Sequence, residues 1–551
     1  EQQVAEQQVD RAADQARQAA LGDSQTGQSA RAAETERLAM ELVARDATST
    51  AGGVGTTISD QAVSLTEAAA ASKRKAALES SSDVGFAGRA ISLFGIFAFI
   101  GVAFLLSTNR KRIDWKVVGW GVGLQLAFAL IILKMPGGKW VFEVATTAVT
   151  KLLEFTNEGS EFVFANFGSG EMMPALQNFA FGVLPTIIFF SSLMTILYHL
   201  GVMQKIVYWM AKGMQKVMNT SGAETLSAAA NIFVGQTEAP LVVKPYVDKM
   251  TRSELMVVMT GGFATVAGGV MAIYVGMLHN TFPDIAGHLM AASVMSAPAA
   301  LIIAKIMYPE IGTPATAGNV EMNDEKVDAN LLDAASRGAA EGLKLALNVG
   351  AMLLAFIALI ALVDYLLSLP SLLWNKGVLE ELVAMYGAKG MSVPAGCAVE
   401  SVGDGRIVEC IGTMSQTLEV DPGWVAPMIT LKQIFGYLFW PFAWLMGVPY
   451  EDCFLIAQLL GEKMVVNELV AYGSLSQMLG DPSVELSGRS VVIATYALCG
   501  FANFGSIGIQ LGGIGGIAPS RKRDLAQIAL RAMIGGTLAA FMTATVAGVL
   551  I

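Results

Sequence analysis

The chain of 551 residues is 54% hydrophobic and only 15% charged, whereas soluble domains carry about a quarter charged residues; an ordinary soluble fold is excluded. A formal net charge of −10 excludes a basic nucleic-acid surface. Three histidines and four cysteines without CxxC or HExxH spacing exclude a recognisable zinc or catalytic metal site.

Residues 1–84 hold 13 acidic against 8 basic side chains and no apolar run long enough to build a core. They read as a polar, Ala/Gln-rich extension, helical or disordered. Strong helix formers at Arg31–Arg45 predict a solvated or oligomerising helix, and the Gly/Thr-rich stretch from Thr48 to Ser59 interrupts it. The chain opens on Glu1 rather than methionine, which points to removal of an amino-terminal piece by signal peptidase or by trimming.

From residue 85 onward the expected fold is an all-α polytopic membrane domain, because a spanning helix needs roughly 20 mostly apolar residues. About eight stretches qualify: Ile91–Leu106, Val117–Leu133, Phe181–Tyr198, Leu255–Leu278, Ile285–Tyr308, Leu343–Leu369, Val491–Gly513 and Leu525–Ile551. Arg110, Lys111, Arg112 and Lys116 follow the first span, and the positive-inside tendency makes that loop cytoplasmic. Counting forward puts Lys249 and Arg252, then Arg521, Lys522 and Arg523, on the same side, and both termini outside; Lys73, Arg74 and Lys75 dissent. The segment 370–427 then becomes an outer, periplasmic loop whose Cys397 and Cys410 are candidates for a disulfide in an oxidising compartment.

Two segments are too polar for spans and too apolar for soluble loops: Ser221–Lys249 and Glu451–Gln477. Each reads as a re-entrant helical hairpin. The first carries Asn231, Gln236, Thr237 and Glu238, with Pro240 and Pro245 forbidding one continuous helix; the second carries Asn467 and Glu468. An ionised carboxylate at mid-depth costs about 2.5 to 3.5 kcal/mol, so Glu238 and Glu468 need a ligand, a watery cavity, or a basic partner such as Lys244 or Lys463. Each hairpin precedes a Gly-rich span, GGFATVAGGV at 261–270 and CGFANFGSIGI at 499–509. A pattern repeated from opposite faces is that of an inverted-repeat transporter with its site at the repeat interface. The glycines also suit close helix packing, and Thr265 suits a bond to its own helix. The run QLGGIGGIAPSRKRD at 510–524 lacks the GK[ST] ending of a phosphate loop.

GQTEAPLVVKPY at 235–246, NELVAY at 467–472, CGFANFGSIGI at 499–509 and STNRKRIDWKVVGW at 107–120 together resemble the concentrative nucleoside transporters, over residues from about 90 to the end. The resemblance implies the bacterial eight-span form, a homotrimer in the cell inner membrane, and no chemistry on the substrate. It implies that Gln236, Thr237 and Glu238 face the nucleobase with Val270 and Phe501 beside it, and that Glu468, Asn503 and Ser506 hold the ribose. It also implies a sodium site at Asn231, Val234, Thr265 and Val266. Thr265 stands where some relatives have serine and keeps the hydroxyl oxygen that a hard cation needs. Proton coupling remains the alternative, as does a receptor or assembly role for the extension; a membrane enzyme using Glu238 and Glu468 lacks a nucleophile, metal cluster or phosphate cradle.

Overall fold

Every regular element among the described residues is helical. The computed structural model describes residues 86–164, 184–218, 220–279, 281–317, 328–399, 406–481 and 483–551; the extension 1–84 with its expected helix at Arg31–Arg45 lies outside them. Among the described residues the first helices are α1 (Phe86–Leu105), α2 (Trp115–Leu133), α3 (Pro136–Phe164), α4 (Leu184–His199) and α5 (Val202–Met218). Two sets of elements with the same order then follow, separated by α12 (Leu331–Ala388) and α13 (Ile407–Leu418).

In the first set, a hairpin of α6 (Gly222–Ala230), α7 (Ala239–Val242) and α8 (Lys244–Val247) leads into a helix broken at 265–267, α9 (Arg252–Ala264) and α10 (Gly268–Leu278), and then into α11 (Ile285–Met307). Pro240 and Pro245 sit in the first turns of α7 and α8, where a missing N–H costs nothing, and this is why the descending arm is cut into short pieces. The second set contains α14 (Leu431–Leu445), a hairpin of α15 (Cys453–Val465) and α16 (Glu468–Gly480), a helix broken at 499–503 into α17 (Gly488–Leu498) and α18 (Phe504–Ile517), and α19 (Lys522–Leu550). α5 packs on α6 as α14 packs on α15, and α9 and α17 both pack on α19.

The base of each hairpin is stitched to the start of its broken helix. Ser221 Oγ donates to Glu254 at 2.6 Å, and both residues belong to capping boxes at the starts of α6 and α9. In the second set Ser487, the cap of α17, donates to Asp452 at 2.7 Å. The two bases lie at opposite poles. At the first, Thr108 N donates to the Met307 carbonyl (3.0 Å), Thr251 to Glu310 (2.8 Å), Arg252 pairs with Asp524 (2.6 Å) and Arg521 reaches the Asp248 carbonyl (3.0 Å). All three basic loops therefore share this pole. At the other, buried Arg489 donates to the carbonyls of Gly447 (2.8 Å), Ile551 (2.9 Å) and Gly88 (3.4 Å), which puts the start of α1 and the carboxyl terminus together. Hairpins entering from opposite poles are what an inverted repeat requires.

Among the described residues six helical stretches are long and apolar enough to cross a membrane: Ala87–Leu105, Trp115–Leu133, Arg252–Leu278, Ile285–Met307, Ile357–Ala388 and Pro519–Leu550. The expected span Phe181–Tyr198 is the single helix α4 from Leu184 on, with residues 181–183 outside the described residues, and beyond its end α4 turns through 74° into α5. The Val491–Gly513 stretch is the broken α17/α18 pair. The span expected at Leu343–Leu369 lies in a helix of 58 residues whose apolar window runs on to Ala388 through Pro370.

The segment 370–427, read from sequence as a loop, is corrected by the same helix. Its first part is the end of α12, and α13 folds back on it around a small separate core of Leu372, Leu379, Leu382, Tyr386, Ile411 and Met414. Asn375 closes the unit by exchanging two 2.9 Å bonds with the backbone of Ala426. Cys397 and Cys410 are joined in a disulfide across this core, with Cα atoms 5.5 Å apart, while Cys453 and Cys499 are buried and free. Intact mass measured on unfolded protein with and without reductant is expected to differ by two hydrogens; no difference would mean that Cys397 and Cys410 are thiols.

Candidate functional site

The two hairpin turns and the two helix breaks converge, and the breaks free backbone groups that an intact helix would use internally. Asn467 caps α16 by accepting from Val470 N at 2.9 Å, and Asn503 caps α18 by accepting from Ser506 N at 2.8 Å. Glu468 is thereby fixed at the first position of α16, where the positive end of the helix dipole favours its carboxylate.

A continuous hydrogen-bond chain links the parts. Glu468, 5% exposed, accepts from Asn503 Nδ2 and from Tyr274 Oη, each at 3.0 Å. Asn503 Oδ1 holds the backbone of Ser506, whose Oγ accepts from Gln236 Nε2 at 3.1 Å. Gln510 Nε2 donates to Gln236 Oε1 at 3.0 Å and to the Met259 carbonyl at 3.1 Å. The chain thus runs from the first hairpin through α18 to the second hairpin and across to α10. It presents carboxylate, carboxamide and hydroxyl groups, a set able to donate to and accept from a polyhydroxylated, heterocyclic molecule.

The residues singled out from sequence fall into three groups. Gln236, Glu468, Asn503 and Ser506 are joined directly. Thr237 and Glu238 lie at the same hairpin turn, bonded to each other at 2.9 Å, with Glu238 exposed and Thr237 against the backbone of Gly513. Val270, in the first turn of α10, and Phe501, in the second break, are partly exposed, and Phe501 makes no ring contact among the described residues. Among the described residues neither Glu238 nor Glu468 forms a salt bridge with Lys244 or Lys463; Lys463 instead donates to the Ala497 carbonyl at 2.8 Å.

Asn231, Val234, Thr265 and Val266 are all buried where the first hairpin meets the first break, and Gly268 N donating to the Phe233 carbonyl at 3.1 Å ties the two together. Asn231 is 0% exposed, its Nδ2 donates to Ser227 O at 3.1 Å, and its Oδ1 has no hydrogen-bond partner among the described residues. A buried acceptor left empty costs about 1 to 3 kcal/mol, and oxygen is the donor atom that a hard cation takes. Thr265 Oγ1 does bond its own helix, at Gly261 O (2.9 Å), but as donor, so the oxygen lone pairs remain usable.

Tyr274 and Gln510 belong to the same constellation and have no place in the sequence reading of the site, where Lys463 enters only as a possible partner of Glu468. Gln510 left a signal, a carboxamide in a Gly-rich apolar stretch; Tyr274, in an apolar helix, left none. Tyr274 and Tyr472 are fully buried and stacked, centroids 4.4 Å apart, which fixes the hydroxyl that Glu468 receives.

Residues 94–167 match the model of the Na+ dependent nucleoside transporter N-terminus, 180–281 that described as nucleoside recognition, and 288–400 with 405–548 that of the Na+ dependent nucleoside transporter C-terminus. An uncharacterized transporter of Haemophilus influenzae is 40% identical over 84% of this chain and 97% of its own length. Sodium/nucleoside cotransporter 1 of Rattus norvegicus is 38% identical over 84% of this chain but 63% of its own length, and Solute carrier family 28 member 3 of Mus musculus 39% over 84% and 58%. The solved structure of CNTnw in an inward-facing substrate-bound state superposes with a TM-score of 0.66 at 36% identity, covering 83% of this chain and 97% of that one.

Proposed function

This chain belongs to the concentrative nucleoside transporter family, and on that footing we propose that it is a secondary active symporter that imports nucleosides on a sodium gradient. The observation that carries the reading is the hydrogen-bond chain from Gln236 to Glu468, assembled from both hairpins and both breaks. Glu468, Asn503 and Ser506 hold the ribose hydroxyls, a carboxylate and a carboxamide between them matching two vicinal O–H groups. Gln236, Thr237 and Glu238 face the base, with Val270 and Phe501 as its apolar wall; stacking on an aromatic contributes about 1 to 3 kcal/mol per base.

Sodium is the coupling ion in this reading, held by Asn231 Oδ1, Thr265 Oγ1 and the carbonyls of Val234 and Val266. The ion orders the first hairpin and with it Gln236, so binding of cation and substrate are linked. A tenfold sodium gradient supplies about 1.4 kcal/mol and 100 mV about 2.3 kcal/mol per charge, enough for accumulation of roughly several hundredfold. The basic pole faces the cytoplasm of a bacterial inner membrane and the termini of the membrane domain face the periplasm. The apolar residues that α12 leaves exposed, among them Leu347, Leu354 and Leu373, face lipid or further copies in a homotrimer.

Uptake of labelled uridine and adenosine into proteoliposomes tests this, under an inward sodium gradient, a proton gradient, and neither. Sodium-driven accumulation is expected, and Asn231→Ala is expected to raise the half-saturating sodium concentration at least about tenfold, the loss of one ligand. Proton-driven accumulation would move the coupling away from Asn231.

A further inference from the structure

The two broken helices share a sequence register: Gly262, Phe263, Ala264 and Thr265 in the first correspond to Gly500, Phe501, Ala502 and Asn503 in the second. In that register Met259 corresponds to Ala497. Both carbonyls accept a side-chain N–H: Met259 O, five residues before the end of α9, from Gln510, and Ala497 O, one residue before the end of α17, from Lys463. The difference lies in the charge. Lys463 is in the last turn of α15, 1% exposed, and its ammonium crosses from hairpin to broken helix at 2.8 Å. The corresponding junction of the first repeat has Asn231, at the C-cap of α6 and against Gly261 of α9, with an unpartnered oxygen.

The C-terminal end of a helix carries about half a negative charge, spread over carbonyls with no partner. In a low-dielectric interior such an end needs a cation near it. We infer that Lys463 is a tethered cation, occupying in the second repeat the place that an exchangeable ion takes in the first. The first hairpin is then ordered only when sodium is present, whereas the second is ordered at every stage of the cycle. Lys463, in the last turn of α15, and Glu468, the first residue of α16, flank the tip of the same hairpin, so the residue that closes the second break also sits beside the proposed ribose-binding arm. It is a positioning residue. The inference rests on the sodium reading for its comparison, but its own requirement is a positive charge at Lys463.

Chemical rescue tests it. In Lys463→Ala proteoliposomes, sodium-driven uridine uptake is expected to fall at least about a hundredfold, as when one member of a buried charged set is removed. Propylammonium, which replaces the deleted atoms and the charge, is expected to restore uptake at least about tenfold, leaving wild type unchanged. Propanol, of the same size and neutral, is not; equal rescue by propanol would reduce the side chain to a space filler and overturn the inference. If the alanine variant fails to assemble, Lys463→Gln is read in its place, with Lys463→Arg expected to retain uptake. Wild-type uptake and sodium activation in Lys463→Gln would overturn the inference while leaving sodium coupling intact. Conversely, rescue by propylammonium in a protein whose wild type runs on protons would keep the tethered cation and remove the sodium reading.

Discussion

Glu468→Gln takes up uridine at least about a hundredfold more slowly than wild type, at unchanged sodium and with the protein still folded. Hydrogen bonds to a charged group contribute about 1.5 to 3 kcal/mol each, and in the proposed site the carboxylate receives the ribose hydroxyls in addition to Asn503 and Tyr274. Asn503 cannot turn over to suit a carboxamide, because its Oδ1 is committed to Ser506 N. The new amide must therefore offer its oxygen to Asn503 and its NH2 to Tyr274, whose hydroxyl can rotate to accept. The fold survives that exchange, but the remaining acceptor capacity for ribose does not. Binding of uridine to detergent-solubilised protein separates this from a transport defect, and the melting temperature checks the fold. Near-normal uptake would remove Glu468 from the ribose site.

The hairpins were legible in the sequence because they break the rules of a span: Asn231, Glu238 and two prolines in one, Asn467 and Glu468 in the other. The breaks in the following helices were not. GGFATVAGGV is apolar and small, so a continuous span is its natural reading. The interruption comes from tertiary approach, with Gly268 N taken by Phe233 of the hairpin rather than by its own helix. Likewise Tyr274 reads as an ordinary residue of an apolar helix until Glu468 lies 3.0 Å from it. Helices α3, α5 and α14 escaped because they are mixed or short: α14, with Trp440, Pro441 and Trp444, has only 15 residues, below the length of a span. The segment 370–427 fails as a loop because the expected span stops at Leu369, one residue before Pro370, whereas the long helix passes through that proline. The basic loops, by contrast, predict one shared side, and the contacts of Arg252 and Arg521 with Asp524 gather two of them at one pole.

The second large effect falls on Gly500, where the two breaks meet back to back. Its φ is +135°, and a Cβ there would lie 2.8 Å from the carbonyl oxygens of both Phe263 and Ala264. Those are the last carbonyls of α9, so the close approach of Gly500 joins the two repeats at their interface. Alanine is barred twice, by a backbone region that only glycine adopts readily, at about 1 to 3 kcal/mol, and by backbone atoms that have no flexible end to move. Gly500→Ala is expected to lose uptake below detection and to melt several degrees lower. Gly508→Ala, in the same broken helix but with open space around its Cβ position, is expected to transport and melt as wild type does. Uptake by Gly500→Ala at the level of Gly508→Ala would mean that the two breaks are not held together during the cycle, and the register shared by Thr265 and Asn503 would lose its mechanical meaning. A variant that stays folded but cannot transport would place the strain in the moving step itself.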